Sequence, residues 1–187
     1  FNGKYGTSDI TMNGNLENVI NFVLSENQIL KGNFNLTSNY LNVNEFIPTL
    51  TYETDEEVEK TEVFGVVQIP TNLNVSIQTN AVKTQYDDIT IENLRGNLII
   101  QNGTLQLSNS SLGIIGATAK MDAFYKNEGT QKAYFDYKID ASEFDIKRAY
   151  NEIKMFREIV TAAESAEGIV GLNYSIKGVL NNQMEPV

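Results

Sequence analysis

Leu94-Arg95-Gly96-Asn97-Leu98-Ile99-Ile100-Gln101-Asn102-Gly103-Thr104-Leu105-Gln106-Leu107-Ser108-Asn109 is the stretch whose reading decides the fold. Apolar positions recur at every second residue on both sides of Asn102-Gly103: Leu98 and Ile100 before it, Leu105 and Leu107 after it. A period of two belongs to a strand, because successive side chains point to opposite faces. Asn-Gly is the strongest short hairpin signal, since both residues tolerate positive φ. Leu94–Gln101 and Thr104–Ser110 are therefore predicted to pair antiparallel.

The same period extends outward from this hairpin. Leu73, Val75 and Ile77 share one face of a preceding strand. A further strand is predicted through Ile114–Tyr125, and the Asn127-Glu128-Gly129 turn leads into Gln131–Ala141. There Ala133, Phe135, Tyr137 and Ile139 alternate with Lys132, Tyr134, Asp136, Lys138 and Asp140, which marks a half-buried strand with one wet face. Ile169–Leu180 reads as the last strand, with Leu172, Tyr174 and Ile176 on one side. Before it the period changes: Ile146, Ala149, Tyr150, Ile153, Phe156, Val160 and Ala163 fall three or four apart, predicting one long amphipathic helix over about Asp145–Glu167. Ser142 or Glu143 precedes it, Gly168 can stop it, and a break near Glu158–Thr161 is allowed. Toward the N-terminus, Lys4–Met12 and Ile29–Leu41 read as strands, and the spacing of Leu16, Val19, Ile20 and Val23 favours a short helix between them.

These elements predict a mainly β, α+β chain: a large, curved antiparallel sheet forming a groove or open barrel, in a single domain spanning residues 1–187. Thr51–Glu62 holds Glu53, Asp55, Glu56, Glu57, Glu59 and Glu62 against Lys60 alone, so residues 51–63 are expected to form an acidic flexible loop. The chain has 187 residues, enough for a real core, and 41% of them are apolar. It starts at Phe1 rather than Met, which reads as a piece of something longer.

Composition narrows the chemistry. With no cysteine and no histidine, thiolate metal sites, cysteine nucleophiles and every imidazole-based triad are excluded. A net charge of −10 argues against nucleic acid, whose binding draws on Lys and Arg. The acidic stretch lacks the alternating ligands and central Gly of a calcium loop. Asp87-Asp88 would point to opposite faces of a strand and suits a turn better than a catalytic pair. Sequons at Asn35, Asn74, Asn102, Asn109 and Asn173 arise by chance in a chain this rich in Asn, Ser and Thr. The Gly96–Gly103 and Gly113–Gly116 pairs lack the Lys-Ser/Thr ending of a phosphate loop and read as bulges or turns. No catalytic residue, metal or cofactor is assigned, and the chain is expected not to be an enzyme.

A sheet this large cannot have both faces covered by one helix, so its apolar positions line either an open groove or the seam of a closed sandwich. Pattern alone somewhat favours the sandwich. Three segments carry a resemblance that turns this around: Asn39–Ile47, Leu94–Asn109 and Gly171–Leu180. In that order, with the helix before the last Gly-rich strand, they resemble the C-terminal region of AsmA-like proteins of the Bacteroidetes type, related to the bridge-like lipid-transfer superfamily. The resemblance implies a periplasmic segment of an inner-membrane-anchored protein of outer-membrane biogenesis. It also implies a hydrophobic β groove that contacts or conducts phospholipid, with membrane attachment through a segment outside this sequence. On that reading the acyl-chain contacts are Leu73, Val75, Ile77, Leu98, Ile100, Leu105, Leu107, Phe135, Tyr137 and Ile139. Two other readings stand beside it: a structural module pairing with a protein partner through an edge strand, and a surface adhesin or glycan-binding sandwich using some of the nine tyrosines.

Overall fold

The computed structural model describes residues 1–25, 28–46, 65–153, 156–157 and 160–187. Nine strands form one open sheet in chain order: β1 (Asn2–Tyr5), β2 (Ser8–Glu17), β3 (Leu30–Asn42), β4 (Leu73–Tyr86), β5 (Ile89–Gln101), β6 (Thr104–Ile114), β7 (Ala117–Glu128), β8 (Lys132–Asp145) and β9 (Ile169–Leu180). The mainly β, curved and open architecture is the one expected. One pairing differs: β3 and β4 run parallel, Leu30 beside Leu73 through Asn42 beside Gln85, so the sheet is mixed rather than wholly antiparallel. Parallel neighbours need a crossover of a dozen or more residues, and the span from 43 to 72 is long enough to supply one. The expected acidic loop at 51–63 falls outside the described residues.

The Asn102-Gly103 turn forms as read, with φ of 52° and 70° and Gln101 opposite Thr104. A second two-residue turn, Ile115-Gly116, joins β6 to β7 with φ of 49° and 84°. It divides the stretch that reads as one strand from Ile114 to Tyr125. An isoleucine gives no turn signal, because a β-branched residue at positive φ is disfavoured.

Single-residue irregularities punctuate β5, β6 and β8 near Asn93, Asn109 and Glu143, all at φ of 50–58°. In β8 the extra residue returns Phe144 to the buried face and prolongs the strand to Asp145. The helical segment consequently starts one step late. Asp145 is its N-cap, accepting the Arg148 N–H at 2.9 Å, and α2 covers Ile146–Glu152. Ile153 has left helical geometry; Phe156 and Arg157 are helical again, and Thr161–Ser165 form a 3-10 turn. The expected long helix is thus interrupted, yet Ile146, Ala149, Ile153 and Phe156 of its stripe pack on the sheet. The helix expected over Leu16–Leu24 is α1 (Val19–Leu24), while Leu16 stays in β2.

Two packed clusters hold the apolar face. Under α2, Leu112, Ala117, Ala119, Ala141 and Phe144 meet Ala149 and Ile153, and the Phe144 and Phe156 rings pack edge to face at 5.5 Å. At the opposite ends of β7–β9, Val66 is fully buried against Tyr125, Ala133, Phe135 and Leu180.

Candidate functional site

Register places all ten predicted contact residues on one face of the sheet. Reading across cross-strand partners, one row runs Leu16, Gly32, Val75, Ile100, Leu105, Tyr125, Phe135, Gly178. The next runs Gly14, Phe34, Ile77, Leu98, Leu107, Ala123, Tyr137, Ile176. Leu73 lies beside Leu30, and Ile139 between Met121 and Tyr174. Each row crosses eight strands, roughly 34 Å at the usual strand spacing.

Burial separates these residues. Phe135 and Val75 are buried; the other eight are half-buried. Phe135, Leu105 and Tyr137 belong to the Val66 cluster, and Ile139 packs against the α2 cluster. Leu73, Val75, Ile77, Leu98, Ile100 and Leu107, all on β4–β6, belong to neither cluster. Among the described residues, the apolar face is therefore packed at two places, and these β4–β6 residues lie in neither.

Alternation alone points to further members of the two rows: Ala123 and Tyr125 on β7, Ile176 on β9 and Phe34 on β3 all follow the period of two. The strap over residues 65–69 carries no such period. It is held by Val66 N–H to the Thr130 carbonyl at 3.0 Å, Ile69 N–H to Asn127 Oδ1 at 2.9 Å and the Tyr125 hydroxyl to the Val67 carbonyl at 2.9 Å.

Two tyrosine hydroxyls on the apolar face are shifted by their surroundings. Burial, then the neighbouring Tyr137, pushes Tyr125 up to about 12, with Tyr86 adding to the effect; burial and Tyr86 also raise Tyr137.

The opposite face is wet. A shallow depression of about 940 Å³ there is lined by amides, among them Asn33, Asn35, Gln78 and Asn97, with Arg95 as the charged member. It is a solvated hollow on the face opposite the apolar rows. Two carboxylates tie the N-terminal strands together. Glu45 accepts bonds from the Thr7 and Ser8 hydroxyls and N–H groups, and Asp9 from Ser38, Asn39 and Tyr40. Asp87 sits in the β4–β5 turn at φ 50°, in keeping with a turn role. Among the described residues, no three acidic side chains converge to hold a metal, and no helix is long and apolar enough to cross a membrane.

No family model, no curated protein and no solved structure matches this chain.

Proposed function

We propose that this chain contacts phospholipid acyl chains through its apolar sheet face, as the periplasmic segment of an inner-membrane-anchored, AsmA-like protein of envelope biogenesis. The observation that carries the reading is the stretch of β4–β6 where Ile77, Leu98, Ile100 and Leu107 line up across strands, half-buried and outside both packed clusters. An acyl chain laid along this face exchanges water for hydrocarbon contact at about 0.8 kcal/mol per buried CH₂. Transfer on this basis is passive and needs no catalytic group or cofactor.

The test is phospholipid retention, read by native mass spectrometry after incubating the folded chain with phosphatidylethanolamine vesicles and re-isolating it. The Leu98→Asp/Leu107→Asp variant is the control, because these cross-strand partners lie outside both clusters and their loss leaves each intact. Bound phospholipid on the parent, absent from a variant with the same circular dichroism, supports the reading. A folded parent that retains none refutes it.

A further inference from the structure

We propose that β9 is a homodimerisation edge, at which two copies of the chain pair antiparallel about a two-fold axis at Asn173. The C-terminal segment already shows how this edge accepts a strand. Val187 N–H bonds the Val179 carbonyl at 3.0 Å, and Asn181 N–H bonds the Glu185 carbonyl at 2.9 Å, so a short antiparallel strap covers the end of β9. In an antiparallel ladder a residue's N–H and C=O point the same way. The outward groups of Val179 and Asn181 therefore make Ile169, Gly171, Asn173, Ser175 and Lys177 outward too, because β9 carries no extra residue against β8. These five residues are all exposed.

An edge this long is a template for another strand unless it is defended. β9 has no proline and no bulge, and Lys177 is its one charged residue.

Among the described residues only the strap pairs with this edge, and the window it leaves, Ile169–Lys177, is self-complementary about its midpoint. With Asn173 opposite its own copy, Gly171 meets Ser175 and Ile169 meets the stem of Lys177. On the apolar face Leu172 meets Tyr174 and Val170 meets Ile176. No like charges fall opposite each other, and the apolar face runs on unbroken from one copy into the next. At the other end of the sheet, β1 covers β2 only as far as Met12 and leaves a shorter edge.

The absence of cysteine makes the test direct. Opposed residues in a hydrogen-bonded pair have Cα atoms about 5.5 Å apart, within disulfide reach. Mild oxidation is expected to cross-link Asn173→Cys into a dimer faster than Lys4→Cys, a control on β1. Sedimentation of the parent over a concentration series is expected to show a monomer–dimer equilibrium. Added salt should strengthen it, since each copy carries −10. Ser175→Pro removes an outward N–H without touching the β8 ladder, so it should keep the monomer's circular dichroism and weaken association at least about tenfold. A parent that stays monomeric at every concentration overturns the proposal. So does a dimer that Ser175→Pro leaves unchanged, or an Asn173→Cys variant that cross-links no faster than the control.

Discussion

Replacing Gly178 by alanine sets two opposing effects against each other, and the ring of Phe135 decides the sign. Gly178 lies directly opposite Phe135, and a Cβ built on it would stand 3.1 Å from both Cε1 and Cζ of that ring. The ring cannot swing aside easily: it is 6% exposed, belongs to the cluster around Val66 and packs against Tyr137 at a centroid distance of 5.2 Å. Removing backbone freedom from the unfolded chain favours alanine by about 0.4–1 kcal/mol, whereas forcing a methyl into a packed site costs about 1–3 kcal/mol. Gly178→Ala should therefore destabilise by about 1 kcal/mol, a fall in melting temperature of about 2–4 °C for a chain of this size. In a Phe135→Leu background the collision disappears and the same substitution becomes neutral or slightly stabilising. The double-mutant coupling should be about 1.5 kcal/mol. Urea unfolding followed by far-ultraviolet circular dichroism measures all four species. A stabilising Gly178→Ala in the parent, or additive single effects, would show that Phe135 does not roof this glycine.

Three further outcomes are expected. Hydrogen bonds, led by the Thr7 hydroxyl for Glu45 and the Tyr40 N–H for Asp9, hold these carboxyls at about 2, below their ordinary 4.5 and 3.8. Their contribution is present above the ordinary values and lost as pH falls toward 2; carboxyl-carbon NMR titration checks it, and midpoints near 4 would contradict the bonding. For Tyr125 the sign is reversed: with the folded phenol at about 12, its contribution is complete below 10 and lost as pH rises between the two. Ultraviolet phenolate titration should show a last ionisation near 12 that is absent in Tyr125→Phe. Thr84 is fully buried and its Oγ1 has no hydrogen-bond partner among the described residues, so Thr84→Val should stabilise by about 1 kcal/mol in thermal melts, and a destabilised variant would show that the hydroxyl is satisfied.

Local signals carried much of the fold. Asn102-Gly103 placed its hairpin in register, and the alternations around Leu73–Ile77, Leu98–Leu107 and Phe135–Ile139 marked side chains that share one face. What escaped was of two kinds. Ile115 and Glu143 adopt a positive φ for which they have little intrinsic preference, so tertiary packing overrode local propensity there. The parallel partnership of β3 and β4 and the strap at Val66 depend on where a connection lands, which no local period encodes. The degree of cover over the apolar face was likewise illegible, because alternation looks the same under a lid or in the open.

The irregularities near Asn93, Asn109 and Glu143 give each strand a reading frame of two. Beyond each one, the alternation resumes only because one residue has been skipped. Deleting Glu143 or Asn109 itself leaves Phe144 and Leu112 facing inward, because only the skipped residue is lost, whereas deleting a residue of a regular stretch, such as Lys138 or Ser111, turns the side chains beyond it to the other face. Point substitutions on the wet face are then cheap for this sheet, whereas a change of one residue in a regular stretch exchanges oil for water along everything that follows. Over generations, such a chain would tolerate drift in composition far more readily than a change in count there.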